Sequence, residues 1–172
     1  YIPYDGIVFD MSEQTGNKTL QFRMISGFKN GSYKEWHDNG KPKTIGKYLN
    51  NDSTDLWTKW YGNGLKSGEG TYKNNKRDGL FYRWYKNGQE EFEGTYKAGK
   101  KNGSWIKWYE NGQKKLEIHY KNNQLNGKYL YWHENGQKEF EGTYKDGKKD
   151  GLWTKWYGNG RKEIESFFQD GR

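Results

Sequence analysis

The chain has 172 residues, enough for one ordinary domain, and a formal net charge of +8. Only 30% of residues are hydrophobic against 30% charged, which excludes a thick core, while an aromatic share of 19% argues against disorder. The absence of cysteine excludes disulfide staples and thiolate metal sites, and no apolar run is long enough to cross a membrane as a helix.

Residues 1–30 read as a worn first unit. Gly6-Ile7-Val8-Phe9 has the form of a unit start, and Leu20, Phe22 and Met24 alternate like a second strand. A degenerate first unit is what a terminal cap requires. The chain opens on Tyr1 with no visible signal peptide, which fits a processed start, either cytoplasmic or exported after loss of a leader.

Residues 31–172 form six units, the last truncated, with a period of 24 residues. Trp36, Trp60, Trp84, Trp108, Trp132 and Trp156 mark the period, and an Asn-Gly pair follows each, from Asn39-Gly40 to Asn159-Gly160. A ring recurs at Tyr48, Tyr72, Tyr96, Tyr120, Tyr144 and Phe168. Gly31, Gly79, Gly103, Gly127 and Gly151 open their units, with Asp55 as the one departure.

Each unit predicts two short strands. In "GLFYRWYKNGQEEFEGTYKAGKKNG" they are Leu80–Tyr85 and Glu90–Lys97, joined by an Asn-Gly hairpin. Lys97-Ala98-Gly99-Lys100 and Lys145-Asp146-Gly147-Lys148 read as return turns. The expected fold is all-β: an elongated single-layer antiparallel β-meander of tandem 24-residue hairpins. A three-residue loop, Lys86-Asn87-Gly88 with a left-handed Gly88, sorts apolar from polar residues. It puts Leu80, Tyr82 and Trp84 on a buried face with Phe92, Gly94 and Tyr96. The same sorting joins Ile106 and Trp108 to Leu116, Ile118 and Tyr120, and Leu152 and Trp156 to Ile164 and Phe168. Gly46, Gly70, Gly94 and Gly142 on that face each predict a neighbouring Trp ring laid across them.

The opposite face would carry Trp57, Phe81, Trp105, Tyr129 and Trp153, then Tyr61, Tyr85, Tyr109, His133 and Tyr157 four positions on. Lys59, Arg83, Lys107 and Lys155 lie between them. Rings interleaved with bases can grip an anionic or ring-bearing partner, although packing of the rings along the ribbon is the simpler reading. Any interface would centre on this row. Lys73, Lys76, Arg77, Lys97, Lys100, Lys101, Lys121, Lys145, Lys148 and Lys149 form a basic edge at the return turns. That edge could meet an anionic membrane surface or glycan, nucleic acid or an acidic protein, while turn solubility and blocked edge pairing are the simpler account. Arg83 and Glu91 are expected to oppose each other across a hairpin. His37, His119 and His133 are too dispersed to share a metal, and no catalytic set or cofactor motif breaks the repeat. Phe167 and Phe168 make the last strand an apolar edge, which predicts pairing with another chain or a further unit.

The motif W-[YH]-x-N-G followed by E-G-x-Y-K-x-G-K-x-[DN]-G resembles the MORN repeat, most closely its bacterial variant. "WYKNGQEEFEGTYKAGKKNG" and "WHENGQKEFEGTYKDGKKDG" carry it best. Asp55, Ile118, Ser166 and the return turn Leu49–Thr54 depart from it. The resemblance implies a single-layer ribbon that binds or scaffolds and does not catalyse. It implies a protein partner, toxin-like for antitoxin or immunity members, and membrane attachment for eukaryotic relatives. No specific nucleic acid is expected. A basic chain fits an acidic partner better than a basic nuclease.

Overall fold

A computed structural model describes residues 3–172 as fourteen antiparallel strands in one open sheet, paired in chain order. Two compact units divide the chain, Tyr1–Gly88 and Gln89–Arg172. The first holds β1 (Gly6–Met11), β2 (Lys18–Ile25), β3 (Phe28–Trp36), β4 (Pro42–Leu49), β5 (Asp52–Trp60), β6 (Lys66–Lys73) and β7 (Lys76–Trp84). The second holds β8 (Glu90–Lys97), β9 (Lys100–Trp108), β10 (Lys114–Lys121), β11 (Gln124–Trp132), β12 (Lys138–Lys145), β13 (Lys148–Trp156) and β14 (Lys162–Phe168). The meander of hairpins read from the spacing is the observed architecture.

Both turn types follow from their residues. At the Asn-Gly ends, the Gly112 N–H donates to the Tyr109 carbonyl at 2.9 Å and the Tyr109 N–H to the Gln113 carbonyl at 2.9 Å. Gly112 has φ +85°, so the loop is the expected three-residue turn closed by a left-handed glycine. At the return ends both central residues have positive φ, as in Asn74 (50°) and Asn75 (61°) or Ala98 (49°) and Gly99 (83°). That is the type I′ geometry, which matches strand twist.

The faces are the reverse of the expected ones. One residue past each Asn-Gly loop, the returning strand carries a second bulge. Trp108 faces Lys114, but Lys107 faces Leu116, leaving Lys115 extra. The same slip follows Trp36, Trp60, Trp132 and Trp156. One extra residue moves every later side chain to the other side. Trp105 therefore shares a face with Gly94 and Ile118, its Cα partners in β8 and β10. Ile106 faces Glu93 and Glu117 instead. In the last hairpin Lys155 faces Ile164 and Glu163 is the bulged residue, and the Lys155 and Glu163 side chains still meet at 2.9 Å.

Burial selects this register. The buried apolar side chains are Phe81, Trp105, Ile118 and Trp153, none above 7% exposed. A β-carbon at Gly46, Gly70, Gly94 or Gly142 would overlap the ring of Trp57, Phe81, Trp105 or Trp153 respectively. A ring does lie across each glycine, but it comes from the row expected to be outermost. Where Ile118 replaces the glycine, its partner is the smaller ring of Tyr129. Edge-to-face contacts then join each ring to its neighbours, as Trp105 meets Tyr96 at 5.0 Å and Tyr120 at 6.0 Å.

Candidate functional site

The predicted ring row is thus the core. Phe81, Trp105 and Trp153 are buried and Trp57 and Tyr129 half-buried, so none offers a free ring face to a partner. The next residues in that series stitch successive hairpins together. The Tyr61 hydroxyl donates to the Trp84 carbonyl at 2.7 Å, and Tyr109 to Trp132 at 2.7 Å. Nε2 of His37 and of His133 sits 3.0 and 3.2 Å from the carbonyls of Trp60 and Trp156. Tyr85 holds the same repeat position, and Tyr157 is 52% exposed. Lys59, Arg83 and Lys107 are exposed. Lys155 pairs with Glu163 at 2.9 Å, and that hydrogen bond raises its pKa.

The basic edge divides between the two faces. Lys101 and Lys149 lie 4.5 and 4.4 Å from the ring centroids of Trp105 and Trp153, and Arg77 lies 4.9 Å from that of Phe81. These three cations cap the core rings. Lys73, Lys76, Lys97, Lys100, Lys145 and Lys148 flank the type I′ turns and are exposed. In register they fall on the other face, because their neighbours Tyr72, Tyr96 and Tyr144 belong to the ring face.

That second face is the open one. It carries the six period-marking tryptophans, all half-buried. Lys66 covers Trp84 at 5.6 Å while pairing with Glu69 at 2.6 Å. Lys114 repeats this with Trp132 and Glu117, and Lys138 with Trp156 and Glu141. Beyond them Leu56 (51%), Leu80 (51%), Leu152 (55%) and Phe167 (73%) face solvent. The expectation that Leu80 and Leu152 lie on the buried face is thereby corrected. The signal against that was in the chain: the equivalent positions are Ser104 and Lys128, which no core site would accept, whereas position 57 and its equivalents are always aromatic.

Among the described residues no cluster of His, Asp or Glu could hold a metal. Burial pushes the phenols of Tyr33, Tyr120, Tyr129 and Tyr144 above their ordinary pKa, away from acid-base work near neutrality. Among the described residues no helix is long and apolar enough to cross a membrane.

No curated protein matches the chain. The MORN repeat variant matches residues 29–50, 77–98, 101–122 and 125–146, a little over half of the sequence. Each match spans one Asn-Gly hairpin, and the unmatched β5–β6 and β13–β14 hairpins keep the same turn and bulge. The chain belongs to the MORN repeat variant family.

Proposed function

We propose that the protein is a non-catalytic repeat scaffold that captures a protein partner on its open face, in the manner of an antitoxin or immunity protein. The observation that carries this is the water-facing apolar row, Leu56 and Leu80 in the first compact unit and Leu152 and Phe167 in the second. Burying one such side chain against a partner gains about 1.5–3 kcal/mol. The ring face offers no comparable gain, since its large side chains already cover one another. The net charge of +8 favours an acidic partner.

The test is an affinity capture from native lysate, comparing the parent with a variant carrying Leu56→Ser, Leu80→Ser, Leu152→Ser and Phe167→Ser. Serine already stands at the leucine position as Ser104, so the fold tolerates it. One acidic protein held by the parent and lost by the variant is the expected result. For the toxin reading, that protein must arrest growth when expressed alone and be relieved by this chain. Equal capture by both baits rejects the open face as the interface.

A further inference from the structure

We propose that the return-turn edge of the second compact unit binds the backbone of a nucleic-acid duplex without regard to sequence. Six lysines carry the inference: Lys97, Lys100, Lys121, Lys128, Lys145 and Lys148, all exposed. Register puts them on one face, since Tyr96, Tyr120, Tyr129 and Tyr144 beside them belong to the ring face. None of their ammonium groups has an ion pair or hydrogen bond among the described residues. Other lysines of this unit do have partners: Lys114, Lys138, Lys155 and Lys162 hold glutamates, and Lys101 and Lys149 hold rings. Asp146, the acid in the strip's own turn, accepts from the Asn126 amide at 3.2 Å.

Lys97 is the direct cross-strand partner of Lys100, and Lys145 of Lys148. Like charges placed opposite each other destabilise a sheet. A local rule broken twice, with Asp146 and Asp150 beside one pair and no acid in the turn of the other, marks a surface kept for a ligand. An anion between each pair would turn the repulsion into attraction.

The chemistry narrows the anion. Two strands span about 9.6 Å, so the two lysine pairs lie about 19 Å apart along the edge, with Lys121 and Lys128 between them. The spacing is held by a ladder between turns: Asn123 N–H to the Lys101 carbonyl, Gly147 N–H to Leu125 and Gly171 N–H to Lys149, all 2.8–2.9 Å. A fixed row of charges suits a stiff polyanion that loses little freedom on binding. A duplex carries one charge per about 1.7 Å of its axis. The exposed amides of Asn122, Asn123 and Gln124 stand at the central turn, but the strip has no arginine forks to clamp base edges and no rings to stack unpaired bases, which fits contact with the backbone. The chain's pI of about 9.3 has the same sign.

Fluorescence anisotropy of the full chain with a labelled duplex of about 20 base pairs tests this over a salt series. Six phosphate contacts give a slope of log K against log salt of about −5. A variant carrying Lys97→Gln, Lys100→Gln, Lys145→Gln and Lys148→Gln is expected to bind at least about tenfold more weakly at about 50 mM salt, with a slope near −2. Its melting temperature should equal or exceed the parent's, and a fall would overturn the premise that the pairs repel. Arginine at the same four positions should keep the affinity. Salt-independent binding, binding unchanged by the glutamine variant, or tighter binding to single strands, a sulfated glycan or phosphatidylserine vesicles would each overturn the proposal.

Discussion

At the scale of single residues, the core is a set of matched volumes across neighbouring strands. Gly94 accepts Trp105, while Ile118 accepts Tyr129. A methyl at Gly94 has nowhere to go but into the indole, so Gly94→Ala should cost about 1–3 kcal/mol through overpacking. Ile118→Gly should destabilise by about 2–5 kcal/mol through a cavity beside Tyr129. Adding Tyr129→Trp should recover part of that loss, because the larger ring fills the space. Urea unfolding of the two single variants and the double variant gives the coupling directly. Additive effects would mean that the two positions do not share one packing site. Substitutions at Trp57, Trp105 or Trp153 would report on stability first, whatever the chain binds.

At the scale of the hairpin, the second bulge decides which face is which. The turns are legible because their residues have local chemistry: the glycine of Asn-Gly and both residues of Asn-Asn take the positive φ that bulged and type I′ turns demand. The bulge is not. Its extra residue is Ser67 in one unit, Lys115 in another and Glu163 in the last, with no common chemistry. What imposes it is a ring resting on a glycine of the adjacent strand across the return turn, as Trp105 rests on Gly94, a contact that the Asn-Gly hairpin does not contain by itself. Deleting Lys115 is the sharp test. The deletion removes the bulge and leaves Lys114 opposite Trp108 and Leu116 opposite Lys107, so Ile118 keeps its place beside Trp105. Hydrogen exchange should show unchanged protection over residues 116–121, and protection lost there would show that the pairing needs the extra residue itself.

At the scale of the whole molecule, each hairpin touches its neighbours and stability is a sum of local terms. The raised phenols add a pH dependence with a definite sign. Tyr33, Tyr120, Tyr129 and Tyr144 all have pKa values raised first by burial. Above about pH 10 the unfolded chain loses these protons while the folded chain keeps them, so stability is full below that pH and falls above it. Thermal melts from pH 8 to 11 should show a constant midpoint, then a decline. Phenolate absorbance should appear together with unfolding, and ionisation of these phenols at ordinary pH in the folded chain would contradict the packing described.

The ladder between successive hairpins has one arithmetic property. Tyr61 reaches 23 residues ahead to Trp84, Tyr109 reaches 23 ahead to Trp132, and Asn39, Asn63, Asn111 and Asn135 reach 23 ahead to the next turn. Removing or duplicating one whole 24-residue period therefore recreates every such bond at the new junction. An insertion of any other length inside a hairpin breaks the bonds that span it. Change by whole periods, which unequal crossing-over between repeats produces, therefore keeps the ladder intact at every step.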